Sequence, residues 1–529
     1  MRTTAIHGCA VAVTILGVTS LVGCAEIGED DDGAALQGVT ARDLGRRCDD
    51  PFAEWSAERA RRQSILDAYL AEHSAELDAF LHRPLGSAGV PAMLFRGFGA
   101  AFPDVWGDGH LSAAGFMPDP FRPGATDPLG IGIATGAGGL EVATLTCGAC
   151  HTGSVVGPDG TMRTLIGAPN TRFNQFRSRI ERTVTDPRYL AIFGENPLTT
   201  GVRDGVLAAR AFFDATIGGF TYNPLRIANP PDYNAELPGN LDAFSIVAAT
   251  FTRPEILDPA RAPEIIAAIM PPAPAPSDIM SVWRQGARAV AHWDGNIASP
   301  IYRSVVSDLT AVGDPAAVDF ENASTRVDFM GDLPPPPYPF DVDMGMARVG
   351  RVLYLAFCAG CHADGNTTLF PASDVGTDPN RLAVLTPLTR ERLIAALRTA
   401  CTDPAQCDVT DDEIVPEVAP EARGYLAVPL DGIWARAPYL HNGSVPTLYD
   451  LLVPGGRPAT FYRGSRRYDE RRVGFVSDAS AADEAGTQLH DTTRSGMANT
   501  GHDTRAYNGI DWSRNRFALA ALLEYLKTL

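Results

Sequence analysis

Phe357-Cys358-Ala359-Gly360-Cys361-His362 is the stretch from which the rest of the chain can be read, and its C-x-x-C-H pattern recurs at Cys147-Gly148-Ala149-Cys150-His151. Two thiols three positions apart, followed at once by His, suit one reaction. The thiols add to the two vinyl groups of a haem, and the imidazole takes an axial position on its iron. With 9 Cys and 10 His in 529 residues, chance supplies roughly 0.003 copies per chain. A redox dithiol or half of a zinc site would use the cysteines alone. It would leave each following His without a reason, and no further C-x-x-C completes a Cys₄ site. The sequence therefore predicts two covalent haem c groups, one on Cys147, Cys150 and His151, the other on Cys358, Cys361 and His362.

The length suits two or three domains with ample core. A formal charge of −19 disfavours nucleic acid, whose phosphates attract basic surfaces, and suits docking of a small basic redox protein such as a monohaem cytochrome c. Residues 1–23 read as a signal peptide: Met1-Arg2 is basic, and Val11–Leu21 is apolar but short for a bilayer. Leu21-Val22-Gly23-Cys24 resembles the bacterial lipobox, which implies cleavage before Cys24 and lipid on its thiol; a secretory signal cut nearby is the alternative. Both export the chain, to the periplasm or outer membrane of a Gram-negative bacterium, with lipid as the only membrane attachment. Residues 24–50 then form a tether. Cys401 and Cys407 bracket a short Asp/Pro loop, so a local disulfide is expected in an oxidising compartment, and Cys48 has no assigned role.

Along the chain, Ala53 to His82 has helical apolar spacing closed by Pro84, whereas Gly86 to Gly139 is dense in Gly and Pro and reads as irregular loops. Gly205 to Ile217 reads as helix. The clearest boundary is Leu333–Phe340 (LPPPPYPF), where four prolines enforce an extended segment. Gly345 to Phe357 is helical and runs into Cys358, and Arg516–Leu529 is an amphipathic helix expected to pack on it. The expected fold is mainly α, two c-type cytochrome domains with long irregular loops and little β. The N-terminal haem domain covers 51–332, the linker 333–340 and the C-terminal cytochrome domain 341–529.

Leu430 to Leu452 (LDGIWARAPYLHNGSVPTLYDLL) resembles the motif of bacterial di-haem cytochrome c peroxidases and the methylamine-utilisation di-haem enzyme. The fuller resemblance is to the di-haem rubber oxygenases and their relatives. It takes in Phe461-Tyr462-Arg463-Gly464-Ser465, Tyr468-Asp469, Val473-Gly474-Phe475 and Gly501-His502. Thr146–Gly153, Gly167-Ala168-Pro169 and Trp293–Asn296 extend it into the first half. The resemblance implies that His362 and His502 hold the second haem as a low-spin bis-His centre, with Tyr439 and His441 nearby but not ligating. The family usually continues Gly-His with an aromatic-Gly-Thr run, whereas this chain has Asp503-Thr504-Arg505-Ala506-Tyr507; Met497 and His441 stay open as sixth ligands. His441 reads otherwise as a structural His in a turn, and His490 as solvated.

For the His151 haem no sixth ligand is evident, and the resemblance implies an open face for oxygen or peroxide. Phe212, Phe213, Phe220 and Phe244 are candidates for an aromatic wall or plain core, and Trp283 or Trp293 for an electron relay or plain packing. The activity expected is that of an exported peroxidase- or oxygenase-type oxidoreductase. Its substrate is peroxide, or oxygen with an organic molecule, and calcium is a further expected ion. A non-catalytic di-haem electron carrier is the alternative, and a surface protein using haem only as scaffold or detector is a third reading.

Overall fold

The computed structural model describes residues 51–174, 176–217, 240–242, 260–269, 273–312, 314–419 and 422–529. The signal peptide, Cys24, the tether, Cys48, Phe220 and Phe244 lie outside the described residues, as do the side chains of Phe212 and Phe213. The fold is mainly helical, and among the described residues the strands form short antiparallel pairs and one three-stranded antiparallel sheet.

Helix Met344–Phe357 delivers Cys358. Its start is capped by the Asp343 carboxylate, which accepts from the Met346 backbone N–H at 3.0 Å. Ala347, Gly350 and Tyr354 form its buried face, one residue per turn, and that face meets the C-terminal helix Arg516–Lys527. The two approach so closely that a Cβ on Gly350 would lie 2.0 Å from the Ala521 carbonyl oxygen. Leu519, Leu522, Leu523 and Leu526 carry the C-terminal helix into the same core. The expected closure of first and last helices is thus present.

The stretch Ala53 to His82 is not one helix. It breaks at His73 into Pro51–Glu72 and Ser74–His82, where the His73 ring lies 4.3 Å from Tyr69, tilted by 37°. The first of these helices lies against the C-terminal half: Trp55 Nε1 donates to the Phe340 carbonyl at 2.8 Å, Arg59 to Pro339 at 2.7 Å, and Arg62 to the Thr528 carbonyl. The Pro-rich segment is accordingly no loose spacer. Leu333, Tyr338 and Phe340 are buried in a core shared by both halves, and Trp434 donates to the Pro336 carbonyl at 3.2 Å.

The loops expected over Gly86 to Gly139 conceal a second core. Helix Ala92–Ala101 buries Phe95 and Phe98, which meet Trp106, Phe176 and Phe193 at ring separations of 5.8–6.2 Å. The Gly and Pro content hid it because the helix is only ten residues long and carries two glycines, and its aromatic partners Phe176 and Phe193 come from distant elements. The strand Glu141–Leu145, paired with Ile131–Thr135, then leads directly into the helical turn Cys147–His151. Cys401 and Cys407 are joined as a disulfide. Among the described residues no helix is long and apolar enough to cross a membrane.

Candidate functional site

His362 and His502 face each other, ring centres 6.4 Å apart and planes inclined at 46°. Two imidazoles on opposite faces of one iron, each about 2 Å from it and about 1.1 Å from bonding nitrogen to ring centre, stand roughly 6.2 Å apart. The observed spacing therefore fits an iron between them. His362 is fixed by its own second nitrogen: Nδ1 donates to the Val428 carbonyl at 2.8 Å, leaving Nε2 as the lone-pair nitrogen. His502 is fixed by its backbone. It has φ +51 after Gly501 at φ +94; its N–H donates to Val375 at 2.9 Å, and Arg457 holds the Gly501 carbonyl at 2.8 Å. A Cβ on Gly501 would fall 2.8 Å from the Thr377 backbone, so the loop seats only glycine before the histidine. Burial lowers the pKa of His362, and lowers that of His502 to about 3 with His362 and Arg457 adding to the effect. Both rings stay neutral, as metal ligands must.

Of the alternatives for the sixth position, His441 is engaged elsewhere. His441 Nε2 bonds the Tyr425 hydroxyl at 3.1 Å with the rings stacked at 4.2 Å, the structural role in a turn. Tyr439 donates to the Ile433 and Val473 carbonyls, inside the core. Met497 is buried and its backbone closes a turn on Arg494. His490 departs from expectation. It is fully buried on the strand Gln488–Asp491, opposite Phe461 and 4.8 Å from its ring; pairing with Thr460–Arg463 turns the ring inward.

The first motif has another geometry. His151 Nδ1 donates to the Met280 carbonyl at 3.0 Å, repeating the His362 arrangement, and burial lowers its pKa to about 4. Burial also pushes the Cys147 thiol up to about 11, and Cys150 and Cys358 up to about 12. Such thiols are poor thiolate nucleophiles, which argues against a redox dithiol. Cys147, Cys150 and His151 open on a cavity of about 240 Å³, walled also by Arg288, His292, Trp293 and Arg303.

Two of those arginines test what the cavity takes. Arg288 donates to the Ser281 and Trp283 carbonyls and the Ser281 hydroxyl, and Arg303 to the Gln285 carbonyl and side chain. Burial drives Arg288 well below its ordinary pKa and Arg303 down to about 10. Enclosed guanidinium groups whose partners are neutral are costly, and the carboxylates of haem propionates would compensate them. Donors, thiols and cations together fit a haem.

The two motifs adjoin, because Val428, whose carbonyl holds His362, also lines the His151 cavity. Trp283 is fully buried and donates to Ile166 at 2.8 Å. It is pressed between Gly167, whose N–H bonds the His151 carbonyl at 2.8 Å, and Gly432. Trp293 donates to the Asp278 carbonyl at 3.0 Å. Sequence reasoning missed Met280, Val428, Arg288, Arg303 and the place of His292. Only the last had a visible signal, the stretch His292–Asn296. Among the described residues no group of three or more His, Cys, Asp or Glu side chains is spaced to hold a metal ion, so calcium gains no support.

A C-x-x-C-H segment with an opposed histidine on a helix-closed fold is the arrangement of a cytochrome c-like domain. Residues 424–462 match the family described as RoxA-like, cytochrome c-like, which implies a covalently bound haem c, and residues 77–151 match the Y4iN-like domain. Three uncharacterised proteins of Sinorhizobium fredii (strain NBRC 101917 / NGR234) are similar. To y4iM the chain is 40% identical over 284 residues, 49% of this chain and 66% of that protein. To y4iJ it is 46% identical over 109 residues, 20% and 18% respectively, and to y4iN 31% over 129 residues, 21% and 62%. The chain thus spans less than two thirds of each relative.

Proposed function

We propose that the chain is an exported di-haem c-type cytochrome oxidoreductase with two unequal sites. The His151 site binds peroxide or oxygen, and the His362/His502 site passes electrons. The carrying observation is the asymmetry: an imidazole stands 6.4 Å from His362, whereas His151 opens on a cavity. Haem iron with one open position binds and reduces oxygen or peroxide; with two imidazoles it cycles electrons. The chain's part is to hold each proximal His by a backbone carbonyl, to keep its ring neutral, and to set cationic groups around the cavity.

Cys361 is exposed, which suits electron entry at the second site from a small redox protein such as a monohaem cytochrome c, drawn by the acidic charge. From there, Val428 and Trp283 offer the short route to the first site. An organic substrate in place of peroxide fits the same site. Export with lipid on Cys24 completes the reading.

The ferric spectrum of the full chain tests it. The expected result is one low-spin and one high-spin component, the second lost on adding cyanide. Two low-spin irons that ignore cyanide and peroxide would leave the electron-carrier reading instead. One observation favours that second reading: His292 is an imidazole on the cavity wall.

A further inference from the structure

We propose, on the reading that the His151 site has an open face, that His292 is the proton acceptor there for hydrogen peroxide and other small protic ligands. His292 sits at φ +63 in a tight hairpin. The hairpin is closed by Ala291 N–H donating to the Ile297 carbonyl at 2.7 Å, with Gly295 at φ +62 in its turn. A left-handed conformation is costly for a residue with a side chain and is kept where surrounding structure enforces it.

The proton on the imidazole can be located from the neighbouring bonds. Arg381 donates to Asp294 Oδ1 at 3.1 Å. Asp294 Oδ2, an acceptor, takes the Asn296 Nδ2 hydrogen at 3.3 Å. The amide is thereby oriented with Oδ1 towards His292, and Oδ1 accepts from Nδ1 at 2.6 Å. Nδ1 therefore carries the proton and Nε2 the lone pair. His292, Asn296 and Arg381 all line the cavity that Cys147, Cys150 and His151 open on. Burial, with Arg381 adding to it, lowers the His292 pKa to about 4, so the ring is neutral at physiological pH.

In the step assigned to it, an O–H bond of hydrogen peroxide breaks and an Nε2–H bond forms. The electron pair stays on oxygen, giving hydroperoxide anion and imidazolium, and no electron changes hands. The Asn296 carbonyl steadies the imidazolium through Nδ1–H, and Asp294 places a carboxylate behind it.

Hydrogen cyanide is the probe, since it too must lose a proton on binding and is protonated at neutral pH. His292→Asn removes the base while tolerating the left-handed backbone. In the full haem-loaded protein, cyanide association by stopped flow should slow about 100-fold. The high-spin band should persist, and the low-spin band of the second site should report an intact fold. Asn296→Ala should slow association to a lesser extent. An unchanged rate in His292→Asn overturns the proposal. So does a wild-type low-spin iron that becomes high-spin in the variant, which would make His292 an axial ligand. Wild type and variant both low-spin and blind to cyanide would instead remove the open face on which the proposal rests.

Discussion

Gly350→Ala sets two physical effects against each other. Gly350 is inside the helix Met344–Phe357, where helix propensity alone favours Ala by about 1 kcal/mol. Packing opposes it. The new methyl would lie 2.0 Å from the Ala521 carbonyl oxygen, 2.6 Å from its carbon and 2.7 Å from the Tyr525 Cβ. Ordinary contact needs about 3.4 Å, so the helices must part by more than an ångström, and backbone cannot rotate away as a side-chain tip can. Overpacking of this kind costs roughly 1–3 kcal/mol, and the shortness of this contact points to the upper end. The net expectation is a loss of about 2 kcal/mol, read as a lower urea midpoint with unchanged slope. Gly360→Ala, with nothing within 4 Å of the added carbon, should stay within about 0.5 kcal/mol. A Gly350→Ala protein as stable as wild type, or more so, would refute the close crossing and with it the placement of Cys358.

His502→Ala should convert the low-spin component to high-spin, while His441→Ala, which removes a partner of Tyr425, should leave the spectrum in place; the opposite pattern would move the axial ligand. Asp308 and Arg326 form a fully buried pair at 2.5 Å, so Asp308→Ala should cost roughly 3–5 kcal/mol in urea unfolding. Asp308→Leu with Arg326→Met should recover most of that loss. Burial holds His490 neutral, its pKa well below the ordinary 6.5. The stability it confers is therefore full above pH 6.5 and falls as the pH drops, because only the unfolded chain takes up the proton. Between pH 6.5 and 5 the wild type should lose roughly 2 kcal/mol more than His490→Leu; equal losses would mean that His490 can be protonated in place.

The two C-x-x-C-H segments were legible in the sequence because the chemistry they suit dictates a local spacing. The helices on either side of the second motif were legible because their apolar period is strong. The His502 loop followed from resemblance, although Asp503 to Tyr507 departs from the family's run. What escaped was non-local. No local pattern announces that the Met280 and Val428 carbonyls, far along the chain, hold His151 and His362. The aromatic core around Phe95 and Trp106 was hidden among turns. His490 was misjudged because its burial comes from pairing with the strand Thr460–Arg463, which its polar neighbours Gln488, Asp491 and Thr492 do not announce. His292 was in view within His-Trp-Asp-Gly-Asn, but its part depends on which way an amide points, and that is decided by Asp294 and Arg381.

The clasp of the helix Pro51–Glu72 onto Phe340 and Thr528 bears on the order of assembly. Its partners lie 285 and 466 residues further along the sequence, so closure of loops of that span precedes its burial. Until those partners are in place, the core that this helix shares with Phe340 stays unsealed on that side. Removing the Arg62 guanidinium would free the Thr528 carbonyl and leave Trp55 and Arg59 as the fastenings of this helix named above.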